Sequence, residues 1–279
     1  MTSSTSPKSS SISRDDDDGV ILLVGRSSSG KSTLLRLIAG MEFPIAGCVS
    51  INGHEQHNKN AQAVGVMPGI PSWVKTGIPL PLNLSDEECY SVQPVILQGK
   101  PDFDDGLSVL ERIAQVGLDT VYLCNKEWKC KEKLSSEKET ANTLLQTLAE
   151  DFASLLTLST EQCCLPPSEL SPSGEYLFGI ACACMISVAP SIAIQNINDD
   201  DCIVKKGIHY PILLFDELFD TEHPSTVELC SRGILDLISA GAVVMSATHR
   251  PGYFSDMATR TVTLSGGKVL IDKDIMLHQ

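Results

Sequence analysis

The chain of 279 residues carries 21 Lys+Arg against 35 Asp+Glu, a formal net charge of −14. That excess of acid disfavours a general nucleic-acid binder, because phosphate neutralisation needs clustered cations. With 42% hydrophobic and 20% charged residues the composition argues against wholesale disorder, and a chain this long buries roughly three quarters of its unfolded surface without disulfide or metal staples.

In chain order, residues 1–18 come first. Seven of the first thirteen residues are Ser, and Asp15 to Asp18 follow. The segment lacks the apolar stretch of a secretory signal and is expected to be a disordered Ser/Asp-rich tail. Gly19 to Val24 is a continuous apolar run that suits a strand buried on both faces. A Gly/Ser loop leads into a helix over Ser32–Ala39, ended by Gly40. Gly47 to Gly53 alternates and closes on Asn-Gly, a strand and turn. Residues 54–90, with four prolines between 68 and 81, are expected to be loop-rich. Residues 107–158 are mostly helical in pattern, broken by a charged linker over Lys126–Lys138.

Tyr176 to Ile194 carries no formal charge over nineteen residues, enough to pass a crude length test for a membrane span. Gly179, Pro190 and several Ser and Cys make it instead a buried helix followed by a turn. Residues 195–206 are polar and read as a surface loop. Ile212–Phe215 and Ala242–Ser246 are two further buried strands, and Leu264–Leu270 is a hairpin. Strands alternating with helices predict an α/β protein. The ten cysteines have no paired CxxC spacing, so they read as reduced thiols, several buried as small hydrophobes, rather than zinc ligands or disulfides.

Gly25-Arg26-Ser27-Ser28-Ser29-Gly30-Lys31-Ser32 matches GxxxxGK[ST] between a predicted strand and a predicted helix. Glycines let successive N–H groups turn inward on phosphate oxygens, and the helix start adds its positive dipole end. Lys31 then places a cation on the β- and γ-phosphates, and Ser32 offers a hydroxyl to Mg2+. A second apolar strand ends in Asp216-Glu217. Two carboxylates at the end of a buried strand need a cation or a proton to handle. Asp216 is predicted to serve Mg2+, and Glu217 to orient and deprotonate water.

These motifs resemble the ATPase domain of the ABC transporter family, the ATP-binding cassette, from about Val20 to Lys273. Gly25–Leu35 looks like the family's Walker A and its helix. Pro167-Ser168-Glu169-Leu170-Ser171-Pro172-Ser173-Gly174 falls where the family has its signature, and Ile180-Ala181-Cys182-Ala183 follows as the family's I-A-R-A does. Asp216-Glu217 is similar to the Walker B end. Ser246-Ala247-Thr248-His249 looks like the switch histidine, and Ser265–Val269 like the closing hairpin. Gln98, or alternatively Gln93, falls where the glutamine loop belongs.

The resemblance implies a P-loop NTPase core with a mostly parallel sheet over residues 19–279, plus a helical subdomain at about 107–190. It implies ATP and Mg2+ as ligands. Nucleotide contacts would come from Gly25, Arg26, Ser27, Ser28, Ser29, Gly30, Lys31, Ser32 and Thr33, with Ser171 reaching the γ-phosphate of a partner's nucleotide. Ser32, Asp216 and Gln98 would serve Mg2+; Glu217, His249 and Gln98 would serve hydrolysis. The implied assembly is a head-to-tail homodimer, or a heterodimer with another cassette ATPase, joined by a separate membrane subunit at the cytoplasmic face.

Several positions depart from the family pattern. Pro172 and Ser173 replace the signature's glycines and Gly174 its glutamine. Pro172 has no N–H to offer a phosphate but suits the first turn of a helix. The family's dimer-contacting Asp falls on His223. The upstream strands and the adenine-stacking aromatic have no counterpart in the residues before Val20. Three readings follow: an active Mg-ATPase, a nucleotide-binding regulatory pseudo-ATPase, or a truncated cassette without its own function.

Overall fold

A computed structural model describes residues 19–39, 41, 42, 44–51, 54, 55, 74–76, 94–97, 106–124, 135–194 and 211–275. Among these, seven strands form one sheet in the order β4 (Val74–Thr76), β5 (Pro94–Leu97), β6 (Ile212–Asp216), β7 (Val243–Ala247), β1 (Val20–Val24), β8 (Ala258–Ser265) and β9 (Lys268–Asp274). β5, β6, β7, β1 and β8 run parallel to one another, and β4 and β9 close the edges antiparallel. A separate antiparallel pair, β2 (Ser50–Ile51) and β3 (His54–Glu55), flanks Asn52-Gly53. The architecture is α/β, as the strand and helix alternation predicted, with the mostly parallel sheet that the resemblance implied.

The continuous apolar runs have a direct cause: both faces of the central strands are covered. Leu22, Val95, Leu97, Leu213, Phe215 and Val244 enter one large core. Their neighbours Leu23, Ile96, Leu214 and Ala247 enter a second, smaller core with Leu35 and Ala39. The period-2 alternation of strand side chains thus feeds two layers at once. Helix α1 (Lys31–Ile38) covers the smaller core. The larger one is covered by α2 (Val109–Cys124), α3 (Ser135–Leu155), α5 (Pro172–Ile194) and α6 (Pro224–Ser239). Between α3 and α5 lies the short α4 (Thr160–Cys164), which opens on a capping box at Ser159 and Gln162.

The structure corrects four local expectations. β4 lies within the segment read as loop-rich. Helix α3 begins at Ser135, inside the expected charged linker. Helix α5 runs through Pro190 to Ile194 instead of turning there. An internal proline costs a helix about 3 kcal/mol, and packing against α2, α3, α6, β5 and β6 outweighs it. Helix α6 was not among the predicted elements, although His223 caps it, Pro224 opens it, and Val227, Cys230, Ile234, Leu237 and Ile238 give it a buried stripe.

Pro172–Ala189 is long and apolar enough to cross a membrane, yet 83% of that stretch is buried inside the fold. A helix that is apolar all round suits such a core position. Cys182, Cys184 and Cys230 are buried free thiols. The tail 1–18, Gln93, Gln98, the linker residues 126–134 and the loop 195–206 lie outside the described residues.

Candidate functional site

In an open parallel sheet the carboxyl ends of the strands form the usual ligand crevice. The predicted motifs gather there, after β1, β6 and β7. Gly25 leaves β1. A Cβ at this position would stand 2.4 Å from the Leu264 carbonyl oxygen and 2.6 Å from Ser29 Oγ, so the loop can start its curl only where no side chain exists. Ser29 N donates to the Arg26 carbonyl at 3.1 Å, and Gly267 N from the β8–β9 turn donates to the Ser29 carbonyl at 3.0 Å. The closing hairpin therefore supports the phosphate loop from beneath. Gly30, with φ +105°, turns the chain into α1.

Lys31 opens α1 and is 4% exposed. Its Nζ donates to the Gly25 carbonyl at 3.1 Å and lies 3.3 Å from His249 Nε2. Among the described residues no carboxylate pairs with it. A buried ammonium whose neighbours are a neutral carbonyl and an imidazole retains uncompensated charge, and a phosphate supplies the compensation. Ser29 Oγ is buried without a hydrogen-bond partner, a second polar group in the same loop that a phosphate oxygen would satisfy. Arg26, Ser27 and Ser28 line the exposed rim of the loop, and Thr33 is exposed on α1.

Beside the loop, Ser32 Oγ donates to Asp216 Oδ1 at 2.8 Å. A hydroxyl and a carboxylate brought together from α1 and β6 are the hard oxygen donors that Mg2+ takes alongside phosphate oxygens and water. The donor set thus fits a nucleotide with its Mg2+.

Glu217 follows with φ +58°, a left-handed backbone uncommon for a residue with a side chain. Its N–H extends the ladder by donating to the Ala247 carbonyl at 2.8 Å. Its Oε1 lies 2.9 Å from His249 Nε2. Lys31, Glu217 and His249 thus converge on one imidazole nitrogen. Asp216 stays 7% exposed, whereas Glu217 is open to solvent, which separates a carboxylate bound to Ser32 Oγ from one that water can reach.

The structure does not bring Ser171 to this cluster. Its hydroxyl caps α5, accepting from Gly174 N at 3.2 Å and lying 3.2 Å from Ser173 Oγ. Pro172 occupies the first turn of α5, where a missing N–H is least costly. His223 serves as the α6 cap, its Nδ1 accepting from Ser225 N at 3.3 Å.

Two residues that the sequence reading did not single out tie the site together. Asp220 accepts hydrogen bonds from Thr248 Oγ1 and from His249 N. Glu222 accepts from Tyr176 Oη on α5 at 2.8 Å. Burial, reinforced by that carboxylate, pushes the Tyr176 phenol above its ordinary range. Neither contact has a local sequence signal, because each joins segments far apart in the chain.

A family model for ABC transporters matches residues 16–73. The metal-staphylopine import system ATP-binding protein CntF of Staphylococcus aureus is 48% identical over 42 residues, 15% of this chain and 17% of the relative. The methionine import ATP-binding protein MetN of Cereibacter sphaeroides is 22% identical over 251 residues, 89% of this chain. Even that longer match spans only 52% of the relative's own length. Among solved structures, a nucleotide-free ATP-binding cassette from an ABC transporter superposes with a TM-score of 0.55 at 17% identity, covering 92% of this chain and 81% of that one. The ATP-binding subunit of an ABC transporter gives 0.51 at 15% identity, covering 92% and 79%. The chain is thus similar to ABC transporter ATP-binding proteins, most closely over the phosphate-loop segment, and it shares the fold of an ATP-binding cassette.

Proposed function

We propose that the chain binds ATP with Mg2+ and hydrolyses it, as a nucleotide-binding subunit that acts with a separate membrane component. One observation carries the reading: Lys31, Ser32, Asp216, Glu217 and His249 meet at the carboxyl edge of the sheet. In this reading the phosphate loop binds the triphosphate through its N–H groups and Lys31. Ser32 and Asp216 would hold Mg2+, which would supply positive charge beside the transferred phosphoryl group. Glu217 takes a proton from the attacking water at a carboxylate oxygen, and His249 holds that carboxylate in place. The helical block within residues 107–170 is the part we assign to contact with the membrane component, and Gln98 is the residue we assign to sensing the γ-phosphate. The site of action is the cytoplasmic face of a membrane, in a homodimer or a heterodimer with a second cassette ATPase.

A second reading has its own support. Ser171 and Pro172 belong to the start of α5, and the His223 ring is occupied as a helix cap. Surfaces that complete a neighbouring subunit's site are altered, which favours a nucleotide-binding regulator that turns over slowly or not at all. Phosphate release from Mg-ATP by the wild type, Glu217→Gln and Lys31→Ala, with ATP affinity measured on all three, decides between them. The ATPase reading requires turnover in the wild type, binding without turnover in Glu217→Gln, and weak binding in Lys31→Ala. Wild-type release no faster than that of Glu217→Gln sinks it in favour of the regulator.

A further inference from the structure

We propose that Asp220 is a positioning residue for the proposed hydrolysis, fixing His249 through its main chain; the inference rests on the ATPase reading above. Three features place the Asp220 carboxylate. Glu217 adopts its left-handed backbone. Asp220 N then donates to the Glu217 carbonyl at 3.2 Å, closing a tight turn directly after β6. The turn carries Asp220 across to the segment that leaves β7, where Oδ1 accepts from Thr248 Oγ1 and Oδ2 accepts from His249 N at 2.7 Å.

Both oxygens of one carboxylate are therefore spent on two consecutive residues of the histidine segment. Charge-assisted bonds of this kind are the stronger class. Thr248 is 1% exposed and anchors the other side, since Thr248 N donates to the Leu23 carbonyl at 3.2 Å and Arg250 N donates to Thr248 Oγ1 at 2.9 Å. The segment is thus pinned between β1 and the β6 turn. From this fixed main chain the His249 ring stands with Nε2 between Glu217 Oε1 and Lys31 Nζ. Asp220 does not meet the phosphate-loop lysine itself. Its hydrogen bond to His249 N sets where that residue sits beside the Glu217 carboxylate, a group that also has an oxygen within 4.8 Å of the Asp220 carboxylate.

This predicts a split in the kinetics. Asp220→Ala leaves Lys31 and the phosphate loop untouched, so ATP affinity stays within about twofold, while kcat falls by about tenfold or more, the size of a lost charge-assisted bond. The His249 amide, no longer bound to a carboxylate, exchanges with solvent about tenfold to a hundredfold faster in site-resolved hydrogen exchange. Asp220→Asn keeps one accepting oxygen and is intermediate in both readouts. Thr248→Val loses one of the two bonds and keeps His249 N on Asp220, so its amide protection stays near wild type.

Wild-type kcat in Asp220→Ala overturns the inference, as does a loss of ATP affinity equal to the loss of turnover. If Asp220→Ala does not fold, the Asn and Val variants carry the same comparison, and an Asn variant indistinguishable from wild type in both readouts overturns it. If the wild type releases no phosphate, the ATPase reading fails separately. The His249 amide then decides alone: unchanged protection without the Asp220 carboxylate refutes the positioning, and lost protection upholds it.

Discussion

Glu217 has φ +58°, and that angle makes a stability prediction of unusual sign. Compare Glu217→Ala with Glu217→Gly. Both remove the carboxylate and the contact with His249, so that exposed pair cancels in the comparison. Alanine must still enter the left-handed region, at about 1–2 kcal/mol for an L-residue. Glycine enters it freely but loses about 0.5–1 kcal/mol more conformational entropy on folding. The balance favours glycine by about 0.5–1 kcal/mol, which reverses the usual order of the two residues in ordered structure. Urea unfolding without nucleotide reads it: the glycine variant has the higher midpoint at unchanged m. For a chain of this size the shift in melting temperature is about 2 °C. An alanine variant as stable as the glycine variant, or more so, refutes the argument and shows that the turn relaxes out of its left-handed geometry. A stability gain for glycine alongside lost turnover would mean that the site holds backbone strain for the sake of carboxylate placement.

Three further outcomes follow from the packing. Phe219 is 1% exposed and contacts the rings of Tyr176, Phe215 and Phe254 at centroid distances of 5.1, 6.1 and 6.1 Å; Phe219→Ala is expected to cost about 3–5 kcal/mol in denaturant unfolding, and a loss below about 1 kcal/mol would mean that the aromatic cluster is not what holds the loop after β6. Gly233→Ala is expected to destabilise more than Gly117→Ala, because the new Cβ would stand 3.0 Å from the Leu156 backbone in the first case and meet the flexible Met185 and Leu145 side chains in the second; both gain the same helix propensity, so the difference in unfolding free energy isolates the clash. In thiol labelling of the native protein, the exposed Cys48 and Cys164 react while Cys182, Cys184 and Cys230 stay protected until urea is added. Burial pushes the Cys230 thiol up to about 12. Above about pH 8.5 the unfolded thiol ionises and the folded one does not, so the unfolded chain binds fewer protons and stability falls as pH rises from there towards 12, by about 1.4 kcal/mol per pH unit for that thiol. A stability curve flat across that range would show that Cys230 is not shielded in solution.

The alternation of apolar strands with helical patterns, and the phosphate-loop spacing from Gly25 to Ser32, were properties of the sequence itself. So were the paired acids after Phe215. These signals are local: a buried strand must be apolar throughout, and a phosphate cradle needs glycines at set offsets. Local rules also made two elements hard to read. Pro190 argues for a helix end and Lys126–Lys138 for a linker, yet α5 passes through the first and α3 begins inside the second. Burial on neighbouring helices and strands outweighed the local preference, and no window of sequence contains those neighbours.

The site shows the same division. Sequence alone singled out the candidate side chains: Lys31, Ser32, Asp216, Glu217 and His249 stand in recognisable order. Tertiary structure alone decided how they are held. Strands β1, β6 and β7 are distant in the chain and adjacent in the sheet. That adjacency sets Ser32 against Asp216 across a sequence separation of 184 and Lys31 against His249 across one of 218. It also recruited Asp220, whose carboxylate reaches Thr248 and His249 only because β6 and β7 pair in parallel and end together. A carboxylate three residues past Glu217, at the end of a turn, has no meaning in sequence; its partner is chosen by which strand lies next to its own.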